Sequence, residues 1–228
     1  MDDLSWAEIK QIADSGVAQK VFSVGDKKSI ELKKPTGDTT NSSGISFASA
    51  SAHAQIVDFL VDTKTNGQKA PITFVTEELV CYLSQNNDDA WKNEGSLRKF
   101  LQNNREEILG SELSSVVSQV KKKTYGGTST GNDNGTVYRY ETSDYLFVPS
   151  NIEVGFTNTY TDSDFPSATY DYFSSNSRRI EAYTSSPRMY ILRDSSASRE
   201  YWFAVSETGR IINSFKYDSN YLPLAFCI

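Results

Sequence analysis

The residues most able to carry nucleophilic or acid–base chemistry are one histidine, His53, and two cysteines, Cys81 and Cys227. A serine or cysteine nucleophile needs a neighbouring base with a pKa near neutrality, and His53 is the one histidine available for that role. It stands between Ala52 and Ala54 at the start of an apolar segment. We therefore interpret His53 as a structural histidine, and we predict that the protein has no catalytic residues and is not an enzyme.

The chain also has few histidine and cysteine residues that could bind a metal: one histidine and two cysteines. Cys81 and Cys227 lie far apart and form no Cys-x-x-Cys or Cys/His motif. A zinc site needs three or four His, Cys or carboxylate ligands, so no metal site is predicted. We interpret the cysteines as two buried free thiols, with one disulfide that closes a long loop as the alternative.

Two short polar segments, 132–134 (Asn-Asp-Asn) and 162–164 (Asp-Ser-Asp), offer oxygen ligands of the kind that calcium prefers. Neither follows the order of an EF-hand loop, and we interpret both as polar turns. No cofactor is predicted, with loop-bound calcium as the alternative. No nucleotide-binding glycine motif follows a predicted strand. Carboxylate pairs of saccharide hydrolases come from distant segments, so a carboxylate-based saccharide hydrolase remains an alternative function.

Residues 125–228 contain 12 of the 13 tyrosines and are rich in serine and asparagine. This composition is typical of adaptable binding surfaces, because tyrosine offers a large contact area for few rotatable bonds. It also suits half-buried strands of an ordinary sheet. We predict a binding face built from the loops 194–200 and 216–221. The candidate ligand-binding residues are Tyr190, Ser195, Arg199, Tyr201, Tyr217, Asp218, Asn220 and Tyr221.

The elements that would position this face begin with helical patterns. Ser5 and Glu8 form a capping box before a first helix that ends at Gly16. Segments 20–24 and 29–32 predict a β-hairpin, and 54–61 predicts a buried strand. Apolar spacing predicts further helices over 79–83, 97–108 and 113–120. Lys121–Lys123 is interpreted as the solvated end of the last helix, with a phosphate-binding patch as the alternative.

Strand patterns dominate after residue 123. They cover 145–148, 189–192, 202–205, 211–215 and 224–228. A long polar loop or a hairpin tip is predicted over 125–144, and a long irregular segment over 157–187. In the strand 190–193, alternation places Arg193 on the face of Ile191, so we expect a paired, partly buried guanidinium with a scaffold role. We predict an α+β fold in a single domain, 1–228, that is helix-rich over residues 1–123 and rich in strands and loops over residues 124–228.

The net charge of −6 excludes the usual nucleic-acid or anionic-membrane binder, which is basic. No segment approaches the length of an apolar membrane span, so no membrane insertion is predicted. The N-terminal residues lack the basic and apolar regions of a signal peptide. We therefore expect cytoplasmic synthesis, as for a virion component, with a bacterial surface location as the alternative.

Short motifs recur in a fixed order along nearly the whole chain. They are Trp6…Ile9…Gly16, Phe22–Asp26, His53–Ile56…Asp58-Phe59, Ser96-Leu-Arg98, Tyr145–Ser150, Glu153-Val154-Gly155, Tyr190–Arg193, Phe203–Val205…Gly209 and Pro223–Ile228. Together they resemble a bacterial domain family of uncharacterised function that is seen in surface and prophage proteins. The chain departs from that family at Asp194 and Leu222, where the family has serine and arginine.

The C-terminal part of that family's sequence is similar to the C-type-lectin-like domains of sulfatase-modifying enzymes. It is also similar to those of the variable proteins made by diversity-generating retroelements. The resemblance implies a C-type-lectin-like fold whose late loops contact a ligand, and it implies no catalytic residues. We expect a non-enzymatic recognition module, such as a phage tail-tip or bacterial surface protein, that binds a cell-surface glycan or protein receptor. Its other partner would be a virion or surface protein. A structural or assembly domain is the remaining alternative.

Overall fold

The computed structural model describes residues 1–36, 45–47, 50–83, 91–128, 135–156, 168–174, 179, 182–183, 186–196, 200–216 and 218–228. Strands account for 40% of the structure and helices for 22%, and most strand pairs are antiparallel. The predicted α+β class with a C-type-lectin-like architecture is therefore wrong, and the protein is mainly β. The difference arises in the half of the chain predicted to be helix-rich, because several of its apolar segments pair as strands.

The helices are few and short. They are α1 (Trp6–Asp14), α2 (Ala18–Val21), α3 (Ser96–Asn103), α4 (Arg105–Val116) and a 3-10 helix (Asp171–Ser174). Helix α1 begins with the predicted capping box, in which the Ser5 hydroxyl accepts from the Glu8 amide and the Glu8 carboxylate accepts from the Ser5 amide. Within the described ranges, the helices lack the length and apolar character that crossing a bilayer requires.

The strands form two large sheets and two small ones. In chain order they are β1 (Lys27–Leu32), β2 (Ile45–Phe47), β3 (Ala50–Phe59), β4 (Thr63–Lys64), β5 (Ile72–Thr76), β6 (Cys81–Leu83), β7 (Val120–Thr128), β8 (Val137–Asp144), β9 (Leu146–Phe147), β10 (Ala182–Tyr183), β11 (Ser186–Pro187), β12 (Tyr190–Ser195), β13 (Tyr201–Val205), β14 (Ile211–Phe215), β15 (Asn220–Leu222) and β16 (Ala225–Cys227).

The chain crosses several times between the two large sheets. The five-stranded sheet has the order β1-β3-β5-β16-β9, and the six-stranded sheet has the order β14-β13-β12-β15-β6-β2. The chain passes from one to the other between β5 and β6 and again between β15 and β16. At this crossover Thr76 and Leu224 are joined by two hydrogen bonds, Thr76 N to Leu224 O (2.8 Å) and Leu224 N to the Thr76 hydroxyl (3.0 Å).

The smaller sheets are the three-stranded β4-β7-β8 and the pair β10-β11. The three-stranded sheet covers much of the segment 125–144, predicted as a long loop or a hairpin tip, and β7 and β8 of that sheet pair as an antiparallel hairpin. The hairpin tip between β7 and β8 and most of the predicted loop 157–187 lie outside the described residues.

Three predicted elements in the first half of the chain are corrected by the structure. Segment 20–24 is not a hairpin strand, because α2 occupies its start and β1 pairs with β3 instead. Segment 79–83 contains strand β6 rather than a helix. Helix α4 ends at Val116, so Lys121–Lys123 belong to strand β7 and not to a helix end.

One hydrophobic core unites both halves of the chain. Its centre includes an aromatic cluster in which the rings of Trp6 and Phe74 lie 5.6 Å apart and those of Phe74 and Phe226 stack at 5.2 Å. Trp6 comes from α1, Phe74 from β5 and Phe226 from β16. The C-terminal strand β16 thus lies inside the five-stranded sheet, between β5 and β9, and packs against residues from the other end of the chain.

Candidate functional site

A cleft of about 710 Å³ opens beside the three-stranded sheet. This volume lies within the range of small-molecule sites, roughly 300–1,000 Å³. The buried lining residues, here called the floor, are Asp62, Lys122, Glu153, Tyr170 and Arg193. The exposed and half-buried ones, here called the mouth, include Thr63, Lys69, Lys121, Lys123, Glu141 and Ala168.

Lys122 is the central cation of the floor. Successive side chains of a strand face opposite sides, so β7 directs Lys122 inwards while Lys121 is exposed. The Lys122 ammonium, 1% exposed, donates to Asp62, to Glu153 at 3.1 Å and to the Tyr170 hydroxyl at 2.9 Å. All three of its protons are therefore used inside the protein.

Arg193 is the second buried cation, and it lies in β12. Its guanidinium holds Glu153 with two hydrogen bonds, one of them 2.8 Å from Nη2 to Oε1, and it also donates to the carbonyls of Val148 and Lys123. The expected paired guanidinium is confirmed, and its burial is complete rather than partial. Arg193 thereby ties β12 to β7 and to the turn that carries Glu153.

Asp62 accepts hydrogen bonds from four donors in and around the floor. In addition to Lys122, its carboxylate accepts from the hydroxyls of Thr73 (2.8 Å) and Tyr170 (3.0 Å), and from the Cys227 thiol at 3.5 Å. Thr73 lies in β5 and Cys227 in β16. The floor is therefore built from segments that are distant in sequence, and two cations face two carboxylates within it.

The floor residues hold their ionisation states firmly. Burial alone would lower the pKa of Lys122, but Asp62 and Glu153 outweigh it and raise that pKa. Burial alone would raise the pKa of Glu153, but Arg193 and Lys122 lower it. Burial and Asp62 raise the pKa of the Tyr170 phenol well above its ordinary value. None of these three groups can exchange a proton readily near neutral pH, so they are unsuited to acid–base catalysis.

Asp194, the residue after Arg193, has a pKa closer to neutrality than these three groups. Burial raises its pKa to about 6, although Arg193 and two backbone hydrogen bonds oppose the rise. Its carboxylate accepts from the amides of Tyr125 (2.8 Å) and Asn151 (3.0 Å), and it does not line the cleft. Asp194 therefore links β12 to β7 and to the 151 turn.

Three of the predicted ligand-binding residues are buried, which is a correction to the predicted face. Tyr190 is 1% exposed, and its hydroxyl donates to the Arg179 carbonyl at 2.8 Å. Ser195 is fully buried and accepts from Lys216 at 2.9 Å. Asn220 is 1% exposed and accepts from the Ser214 hydroxyl. In this conformation their side chains hold strands together and cannot touch a ligand.

The other predicted residues do not form one described surface. Tyr201 is partly exposed and packs against Phe215, and Tyr221 is half-buried against Tyr82. Asp218 is exposed. The remaining two, at positions 199 and 217, lie outside the described residues, as do the two predicted alternatives for calcium at 132–134 and 162–164.

His53 takes part in the one described cluster of three residues with a metal-ligating composition. Its Nδ1 lies 2.7 Å from Glu78 and 3.8 Å from Glu77, and its backbone amide donates to Glu78. Glu77 also pairs with Lys27 at 2.5 Å. Hydrogen bonds inside the cluster occupy these groups, which agrees with a structural role for His53.

The two cysteines are both free and buried, as expected. Burial raises the pKa of the Cys81 thiol to about 12, and burial together with Asp62 raises that of Cys227 well above its ordinary value. Neither thiol is therefore disposed to act as a nucleophile.

One motif was missed in the sequence: 127–131 reads Gly-Thr-Ser-Thr-Gly, the pattern of a nucleophile elbow. An elbow joins a strand to a helix, whereas this segment begins in β7 of the antiparallel β7–β8 hairpin. Its strand context is therefore different from that of a hydrolase nucleophile, and its serine lies outside the described residues.

Sequence reasoning also missed the floor itself. The available signal was Val120-Lys-Lys-Lys-Thr-Tyr125, in which strand alternation would bury Val120, Lys122 and Thr124 together. A lysine on a buried strand face requires carboxylate partners. Those partners, Asp62 and Glu153, lie 60 and 31 residues away, so no local pattern identifies them.

The fold and the site together define a mainly antiparallel β domain with a charged cleft over a buried ion-pair network. Residues 70–228 match the family described as "Domain of unknown function (DUF6273)". Because this match covers more than half of the chain, the protein belongs to that family, and the expected membership of an uncharacterised family is confirmed. No curated protein and no solved structure matches the chain, so the lectin-like resemblance finds no support there.

Proposed function

We propose that the protein is a non-enzymatic recognition module whose ligand occupies the cleft beside the three-stranded sheet. The observation that carries this proposal is the floor, where two cations and two carboxylates are paired with one another and with neutral donors. Such a floor is rigid and keeps its charges in place. It gives a ligand a shaped surface, and the pKa values of its Lys122, Glu153 and Tyr170 side chains are shifted away from neutrality.

The ligand would be part of a cell-surface glycan or of a protein receptor. A cleft of about 710 Å³ is wide enough for a few sugar units or side chains. The mouth mixes lysines and a glutamate with Thr63 and Ala168, so polar and apolar contacts are both available. We therefore propose the cleft as the binding surface, in place of the C-terminal loops predicted from the sequence.

The alternative of a saccharide hydrolase meets a specific obstacle in the cleft. A general acid of a glycosidase needs a raised pKa, and its partner carboxylate needs access to the sugar. Glu153 has a lowered pKa and is held by Arg193 and Lys122. Asp62 accepts from four donors of the protein. Neither carboxylate has the freedom that the reaction requires.

The test blocks the cleft with a bulky side chain and measures whether the ligand still binds. Wild-type protein would be screened on a glycan array and against cell-surface proteins, and each hit would be repeated with Ala168→Trp, which places an indole in the mouth. Gln19→Trp, an exposed position on α2, is the matched control. We expect Ala168→Trp to abolish binding and the control to retain it. Equal binding by both variants would show that the ligand sits elsewhere.

A further inference from the structure

The mouth of the cleft carries two lysines that make no ion pair with any described residue. Lys121 is exposed, and its cross-strand neighbours are Thr63 on β4 and Ser143 on β8, neither of which is acidic. Lys69 is also exposed, and its ammonium donates to two neutral acceptors, the Val61 carbonyl at 2.8 Å and the Thr63 hydroxyl at 3.2 Å. No carboxylate in the described part of the chain therefore pairs with either lysine.

The other charges of the cleft balance one another. In the floor, Lys122 and Arg193 face Asp62 and Glu153. In the mouth, Lys123 lies directly opposite Glu141 in the β7–β8 register. Among the residues that the structure describes, the uncompensated charge of the cleft is thus positive and lies at the mouth, in a chain whose net charge is −6. An acidic protein that concentrates unpaired cations in its cleft favours an anion there.

Thr63 lies between the two lysines and completes the set of donors. It stands opposite Lys121 in the β4–β7 register, and its oxygen accepts from Lys69. Accepting that bond leaves its own hydroxyl proton available. Lys69 uses two of its three protons on Val61 and Thr63, so one remains.

We propose that this mouth binds an anionic group of the ligand, a carboxylate or a phosphate, between Lys69 and Lys121 with Thr63 as a third donor. The inference rests on the proposed function, since it names the chemistry that the cleft recognises. It also gives a role to the lysine run, which on a strand presents Lys121 to the mouth and Lys122 to the floor.

The experiment uses the full chain and two simple probes, inorganic phosphate and citrate, titrated at low ionic strength and followed by amide NMR shifts. We expect saturable shifts in segments 61–69 and 120–123. Lys121→Gln and Lys69→Gln should each weaken the binding about tenfold or more, as for loss of a charge-assisted hydrogen bond. Lys20→Gln, an exposed lysine outside the cleft, is the matched control and should change nothing.

The outcomes separate this inference from the proposed function. Shifts scattered over the surface, or equal weakening by Lys20→Gln, would overturn the anion site. Ala168→Trp could block the binding of a screened ligand while Lys121→Gln and competing phosphate leave that binding unchanged. The cleft would then be the binding site, and the proposal that it binds an anionic group would be wrong. If phosphate binds the lysines while Ala168→Trp leaves ligand binding intact, the anion site stands and the proposed function fails. Tighter binding of phosphate than of citrate would identify the anionic group of the ligand as a phosphate. Tighter binding of citrate would identify it as a carboxylate.

Discussion

At the scale of single residues, the buried charges of the floor depend on one another. Glu153 is the carboxylate shared by Lys122 and Arg193, and its second oxygen also accepts from the Ser150 amide at 2.8 Å. Removing its charge would leave two buried cations with Asp62 as their one remaining carboxylate partner in the floor. Breaking a buried pair is costly because an uncompensated charge stays in a medium of low dielectric constant.

We predict that Glu153→Gln lowers the free energy of unfolding by about 3–5 kcal/mol. The exposed pair between Glu94 and Lys99 supplies the matched control, and Glu94→Gln should change the free energy of unfolding little because water screens this pair. Urea unfolding, monitored by circular dichroism, measures the free energy of unfolding of both variants. Equal, small losses in the two variants would mean that the floor is not the electrostatic centre described above.

A second prediction at this scale concerns pH. The folded-state pKa of Asp194 is about 6, above its ordinary value of 3.8, so between these values the folded state binds more protons than the unfolded state. Stability from this group is therefore present at low pH and is lost as pH rises through about 6. Asp58, whose pKa burial also raises, acts with the same sign. Glu153 acts oppositely, and its contribution is lost as pH falls below 4.5.

Asp194→Asn should consequently reduce the fall in unfolding free energy between pH 4 and pH 6, a slope of at most about 1.4 kcal/mol per pH unit. The variant should also be less stable overall, because an amide has a single oxygen and cannot replace both carboxylate oxygens that accept from the Tyr125 and Asn151 amides. Asp218→Asn, at an exposed aspartate, is the control. An unchanged slope in Asp194→Asn would show that Asp194 does not titrate in this window.

At the scale of elements, helix α1 depends on its first turn. The Ser5 hydroxyl accepts from the Glu8 amide at 3.2 Å, and the Glu8 carboxylate accepts from the Ser5 amide at 2.7 Å. We predict that Ser5→Ala destabilises the protein by about 1 kcal/mol. Ser15→Ala, at the other end of the same helix, should stay within about 0.5 kcal/mol. Thermal unfolding compares them, and a larger loss for Ser15→Ala would contradict a dominant N-terminal cap.

Elements were predictable where their signals are local. The capping box located α1, the apolar stripe over 97–108 located α3 and the start of α4, and alternation located β12, β13 and β14. Segment 79–83 was misassigned because a short apolar run fits a helix and a buried strand equally well. The order of strands in the sheets, such as β16 between β5 and β9, was not predictable, because strand neighbours are set by contacts distant in sequence.

The same limit applies to the candidate site. The pairing of Arg193 followed from its place on an apolar strand face, but its partner Glu153 did not. Tyr190, Ser195 and Asn220 were predicted to bind a ligand because of their residue types. Burial decides their role, and residue type alone does not report burial.

At the scale of the whole molecule, the family match and the structural unit have different limits. The match begins at residue 70, whereas the five-stranded sheet contains β1 and β3 from before that point. Strand β3 pairs with β5 along five register positions, from Ala54 opposite Thr76 to Phe59 opposite Ile72. Asp62, a carboxylate of the cleft floor, also precedes the match.

A fragment of residues 70–228 tests whether the family region can fold without the preceding segment. In this fragment β5 would expose its edge and Lys122 would lose Asp62, so apolar surface and a buried charge would both lack their partners. We predict that the fragment alone shows no cooperative thermal transition and that adding residues 1–69 in trans restores one. Asp62→Asn in the full chain separates the two causes, since it removes only the charge and should leave a folded but less stable protein. A cooperative transition of the fragment near that of the full chain would show instead that the family region is an independent domain and that residues 1–69 are an addition to it.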